Sequence, residues 1–177
     1  MSRATTVLAR SLGVLIVTAA LAGCSPTPEP TPTPTGFASE EEAFAAAEAT
    51  YRAYVAALND VDLSDPETFE PVYALTTGDL NASDRAGLSS YHAEEVTLGG
   101  ASEVALLEVT DADLPLSIRL AVCLDVSAVT LTGSDGQSLV DSNRVDVQSL
   151  MVTLVSTPSD SAWLVADVEG RSGTPTC

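Results

Sequence analysis

His92 is the one histidine of this chain, and there is no lysine at all. Acid–base or nucleophilic chemistry near neutral pH is therefore left with one imidazole, the carboxylates, the hydroxyls and three cysteines, Cys24, Cys123 and Cys177. The missing lysines remove phosphate-binding loops ending in Gly-Lys, Schiff-base chemistry and Ser-x-x-Lys sites. His92 follows Tyr91 beside Glu94 and Glu95. The nearby serine runs, Gly87-Leu88-Ser89-Ser90 and Gly133-Ser134-Asp135-Gly136, do not form a Gly-x-Ser-x-Gly elbow, so a surface histidine accounts for it. Among the acids Asp125 has the best case, because it lies within an apolar strand pattern. Strand alternation puts Cys123, Asp125 and Ser127 on one face and Val122, Leu124, Val126 and Ala128 on the other. The apolar set belongs to the core. Asp125 is then expected on the outer face, in reach of a cross-strand pair with Arg144. Zinc wants several His or Cys ligands, which are not at hand. Asp60-x-Asp62-x-Ser64 opens like a calcium loop, but Asp65 stands where the turn glycine belongs and Pro71 where the closing glutamate belongs. No catalytic residue, metal ligand or cofactor site is assigned.

One cysteine has a different chemistry. Leu21-Ala22-Gly23-Cys24 ends an apolar run over 12–21 that is preceded by Arg3 and Arg10. The run is short for a bilayer span and a proline-rich segment follows it. This stretch resembles the lipobox of bacterial lipoprotein signals. The resemblance implies that Cys24 receives a diacylglyceryl group with fatty-acyl (palmitate-type) chains and becomes the first residue of the mature protein. The chain is then expected at the extracytoplasmic face of the cell membrane, held by lipid. Two acyl chains give durable attachment where one does not. The alternative is an ordinary secretory signal with Cys24 an incidental thiol.

Residues 1–23 hold two of the seven basic residues and none of the 25 acidic ones, which leaves the remainder with five against 25, a net charge of −20. Such an excess repels nucleic-acid phosphates and anionic headgroups, so no nucleic-acid partner is expected and the domain should stand off the membrane. With Cys24 lipidated, Cys123 and Cys177 remain, in a compartment that permits disulfides. Their pairing would close a long loop and contribute roughly 4 kcal/mol in the chain-entropy model. Two free thiols are the alternative.

The elements that must position these residues follow from pattern. Ser25-Pro-Thr-Pro-Glu-Pro-Thr-Pro-Thr-Pro-Thr35 prefers extended polyproline geometry and makes a spacer of roughly 30 Å. Ser39-Glu40-Glu41-Glu42 is a capping box, and Phe44, Ala47, Tyr51, Val55 and Leu58 recur at helical spacing. Asp65-Pro66-Glu67 opens a second helix carrying Phe69, Val72, Tyr73 and Leu75, with Gly78 as its stop. A weaker third helix is expected over 79–90. The period then changes to that of strands: 96–98, 104–109, 118–131, 145–155 and 162–168, with Gly99-Gly100 and Gly133-Ser134-Asp135-Gly136 as breaks. Helices before antiparallel strands read as α+β. Trp163, Tyr51, Tyr54, Phe44 and Phe69 serve as core or as the lining of a pocket.

This order, with Cys123-Leu124-Asp125-Val126-Ser127 on a strand, Asp135-Gly136 in the next turn, Arg144 leading the following strand, Trp163 and Cys177, resembles small actinobacterial lipoproteins carrying a nuclear transport factor 2-like (SnoaL-like, cystatin-like) domain. The resemblance covers about residues 39–177. It implies N-terminal helices packed in a bent antiparallel sheet around a cone-shaped pocket. It also implies a division of the chain into 1–23 signal, 24–38 lipidated cysteine and linker, and 39–177 globular domain. The leading expectation is a lipid-anchored, non-catalytic module that binds a small apolar ligand or an envelope protein. The alternative is a small isomerase- or dehydratase-type enzyme with an inward acid such as Asp125, because members of the fold place a base inside the cone.

Overall fold

The computed structural model describes residues 36–157 and 162–177. Cys24, the signal and nearly all of the linker lie outside them. Helix α1 (Glu40–Asn59) starts where the capping box requires: the Ser39 hydroxyl accepts from the Glu42 amide, and the Glu42 carboxylate reaches back to the Ala38 amide at 2.8 Å. Its buried stripe is Ala43, Ala47, Tyr51, Tyr54 and Val55, while Phe44 and Leu58 sit on its half-buried margins. The small residues let the helix approach the sheet closely.

The expected second helix is two pieces, a 3-10 turn (Pro66–Phe69) capped by Asp65 and a short α2 (Glu70–Leu75). Pro71 supplies no amide hydrogen, which limits backbone bonding across the junction. Gly78 does not stop this helix. With φ of +60° it begins α3 (Gly78–Ala93), which runs beyond the expected 79–90.

Six strands follow: β1 (Thr97–Gly99), β2 (Glu103–Asp113), β3 (Ser117–Asp125), β4 (Thr130–Thr132), β5 (Val147–Ser156) and β6 (Trp163–Gly170). Strands β2, β3, β5 and β6 form an antiparallel sheet in that order, and β1 pairs with β4 in a separate ribbon. Register shifts in the β2–β3 and β5–β6 ladders bend the four-stranded sheet around α1. Ile118, Leu120, Val122, Val152, Leu154 and Val165 are completely buried on its inner face. Trp163 joins the two layers, its indole N–H donating to the Ala43 carbonyl at 2.9 Å. Phe37, a residue assigned to the linker on sequence, stacks on the Trp163 ring at 5.2 Å.

The single strand expected over 118–131 is two strands in two different sheets. The Asp125 carboxylate accepts from the Ser127 amide at 2.9 Å, and the Val129 amide bonds back to the Val126 carbonyl, so the chain turns between β3 and β4. Nor do 118–131 and 145–155 meet in a tight hairpin. The Gly133–Gly136 turn lies inside a wide loop over 133–146. On the outer face of β3, Cys123 is bonded to Cys177 with their Cα atoms 5.5 Å apart. Arg171 seats the tail between them, its amide bonding Ser149 and its Nε bonding Leu150.

Candidate functional site

Asp125 is not a base in a cavity. It is part-exposed at the end of β3, and the Ser127 hydrogen bonds hold its pKa below the ordinary carboxylate value. Such a shift adds stability at neutral pH that is lost as pH falls through the depressed value. The expected pair with Arg144 is not formed either. The guanidinium instead donates to the carbonyls of Val126 and Val129, at 2.8 and 2.9 Å, and so clamps the turn that splits the strand. Among the described residues, no group of three or more His, Cys, Asp or Glu side chains is placed to hold a metal ion. His92 is an anchor. Its Nδ1 lies 2.7 Å from the Leu63 carbonyl, which only accepts, so Nδ1 carries the hydrogen. The ring edge also meets Phe69.

The interior beneath the four-stranded sheet is filled by α1 and the apolar side chains named above, so the open cone implied by the resemblance is closed there. Trp163, Tyr51, Tyr54 and Phe69 are core residues and Phe44 packs beside them. Several hollows mark the surface, and those beside Glu40–Glu48 and beside Glu94 and Asp135 are wider and lined by acidic residues. The one lined mainly by apolar side chains lies at one end of the domain. A pocket of about 210 Å³ opens between the end of α1, the end of α3 and the β1–β4 ribbon. Leu58, Val61 and Leu63 form its floor, Leu88 and Tyr91 come from α3, and Leu98, Val129 and Leu131 come from the ribbon side. Of its polar members, the Asn59 side chain is already engaged. Asn59 bonds the backbone of Ser102 twice, donating to its carbonyl at 2.9 Å and accepting from its amide at 2.8 Å. Gly100 closes this wall because its backbone, at φ +74°, lies too near Ala128 for any side chain. No aspartate, glutamate, histidine, arginine or cysteine lines the pocket.

A second polar constellation escaped sequence reasoning. The Tyr54 hydroxyl of α1 lies 3.3 and 3.4 Å from the Asp84 carboxylate oxygens of α3. Burial pushes the Asp84 pKa up, against the lowering effect of the Tyr54 hydrogen bond. Burial also raises Tyr54, with the Asp84 charge next, and brings neighbouring Tyr51 to about 12. The folded state therefore holds the Asp84 proton more tightly than the unfolded chain does, and ionisation of Asp84 removes stability as pH rises from the unfolded value through the raised one. Asp84→Asn keeps an acceptor for Tyr54 and removes the charge. Asp84 is half-buried, so the gain at pH 7 is about a few tenths of a kcal/mol after screening. Urea titrations at pH 7 and below pH 3.8 should show the gain at the higher pH only; an equal effect at both would mean that the charge is immaterial.

No family model matches the chain, and no curated protein matches it. Among solved structures it is similar to a Xanthomonas campestris protein assigned to the calcium/calmodulin dependent protein kinase II association domain, at 14% identity and a TM-score of 0.38, covering 78% of this chain and 91% of that one. It is also similar to a de novo designed β-sheet protein solved by NMR, at 16% identity and a TM-score of 0.29, covering 75% and 88%. Likeness at this level carries nothing about activity. The α+β order, helices first and then a bent antiparallel sheet, stands on the structure itself.

Proposed function

We propose that this chain is a non-catalytic binding module, tethered at the extracytoplasmic face of the membrane by lipid on Cys24, and that its site is the apolar pocket between α1, α3 and the β1–β4 ribbon. The observation that carries the binding half is the lining. Acid–base or covalent catalysis needs a group that moves a proton or supplies an electron pair. This pocket offers only the hydroxyls of Tyr91 and Ser102, and the acid on which an isomerase or dehydratase would depend, Asp125, is not among its lining residues. A charged ligand would lose its hydration there without gaining a partner, so the occupant is neutral. An apolar cavity of roughly 150 Å³ holds benzene, so this one suits about ten heavy atoms, an indole-sized molecule or the end of a hydrocarbon chain. The tether half rests on Leu21-Ala22-Gly23-Cys24 and the proline-rich spacer after it. Among the described residues no helix is long and apolar enough to cross a membrane. The acidic surface disfavours nucleic acid as a partner.

Native mass spectrometry of the protein extracted from its host membrane tests both halves. The expected species begins at Cys24, carries diacylglyceryl mass, lacks two hydrogens and binds indole one-to-one; Leu88→Trp, which fills the pocket, abolishes the indole adduct. A chain without acyl mass would overturn the tether. A parent protein that takes no indole and carries no neutral adduct would overturn the pocket.

A further inference from the structure

We propose that the second half of α3, from Gly87 to Ala93, is a closing wall of the pocket that docks fully only when the pocket is occupied, with His92 as the residue that positions it. This rests on the pocket being a binding site.

The inference comes from how unevenly α3 is held. None of its side chains is fully buried; the side facing the domain is a half-buried stripe of Leu80, Asn81, Asp84, Gly87, Leu88 and Tyr91. The first half is well fixed. The Asn81 amide bonds the Tyr73 carbonyl and the Thr76 hydroxyl, both at 2.8 Å, the Thr77 amide bonds Val165 on β6, and Asp84 meets Tyr54. The second half is only partly backed, because Leu88 and Tyr91 pack on the margin of the core and also line the pocket. It is held by the His92 bond to Leu63, the edge of the His92 ring on Phe69, the Val96 amide bond to the Tyr91 carbonyl and the inner sides of Leu88 and Tyr91 against the core. Gly87 stands at the join of the two halves, where a methyl group would meet nothing within 4 Å. Glycine is among the weakest helix formers, and no steric need at this position calls for it. Leu88 and Tyr91 lack contacts on their pocket side, and a ligand supplies them. Occupancy and docking of this half-helix are then linked, each favouring the other.

The linkage predicts that residues outside the pocket lining change affinity by acting on α3. Indole is the probe, titrated calorimetrically into the whole chain, with hydrogen exchange read over 87–93. Gly87→Ala, which strengthens the helix, should tighten indole roughly threefold to fivefold. His92→Ala should weaken it roughly fivefold, and His92→Gln, which retains a donor, should recover most of the loss. Amides of 87–93 should exchange more slowly in saturating indole. Val145→Ser, at an exposed site on the 133–146 loop, should leave the affinity unchanged. Unchanged affinity in both the Gly87 and His92 variants, with equal exchange in free and loaded protein, would make α3 a rigid wall and overturn this proposal while leaving the pocket as a site. Failure of the parent to bind indole would overturn both.

Discussion

Replacing Cys177 with serine should lower the melting temperature by on the order of 10–15 °C, from a loss of about 4 kcal/mol. The two cysteines are 54 positions apart, so the bond shortens a long loop of the unfolded chain. How that effect divides between chain entropy and solvation is model-dependent, but its size for a loop of this length is not small. In the folded state the bond also presses the tail onto the outer face of β3, where Arg171 lies with its Nη2 3.5 Å from the Cys177 sulfur. Cys123→Ser should cost about 1 kcal/mol more than Cys177→Ser. Position 123 is 3% exposed, and a hydroxyl there is buried without a designed partner, whereas Cys177 lies at the open end. Calorimetry on both variants and on the parent, oxidised, checks the pair. A Cys177→Ser melting point within about 2 °C of the parent, with both parental thiols open to alkylation, would show that the bridge is not made.

Gly100→Ala should cost about 3 kcal/mol or more and abolish indole binding. A methyl group at this position would stand 1.9 Å from the Ala128 carbonyl oxygen and 2.6 Å from its carbon, and both are backbone atoms that cannot rotate away. Either the turn after β1 or the turn before β4 must retreat, which parts the Gly99–Thr130 pairing and opens the wall that holds Val129 and Leu131. Gly136→Ala is the control. Gly136 has φ of +79° but open space around it, so only the backbone conformation is strained, at about 1 kcal/mol. Thermal melts and indole titration of the two variants separate clash from conformation. Equal losses would mean that the approach to Ala128 relaxes easily and does not shape the pocket.

What could be read from the chain divides along the range of the interactions. The capping box at Ser39 and the stripe of α1 are local signals, and both appear where the residues place them. The two-residue period from Ile118 is equally regular, yet it misleads because Val126 and Ala128 continue the apolar pattern through a turn. The contrary signal is small: an aspartate two residues before a serine, whose side chain captures that amide. Charge pairing is the simplest prior for Arg144, but the carbonyls of Val126 and Val129 in the neighbouring turn take its guanidinium instead. The pocket was not legible at all. Its lining comes from four separate stretches, 58–63, 88–91, 98–102 and 129–131. In sequence a leucine facing a void is indistinguishable from a leucine facing another side chain. The Gly99-Gly100 pair marks a break between strands, and only the folded chain shows which backbone it approaches.

Trp163 gives this protein a built-in optical reporter. It is the only indole in the chain, it is 2% exposed, and it is fixed to α1 through Ala43 and covered by Phe37. Its emission therefore follows the parting of α1 from the sheet, whereas far-ultraviolet ellipticity counts α3 as well. Denaturation curves from the two signals superimpose where the helices leave together. Where α3 lets go first, ellipticity moves ahead of the fluorescence, and the gap between the curves measures how independent that helix is.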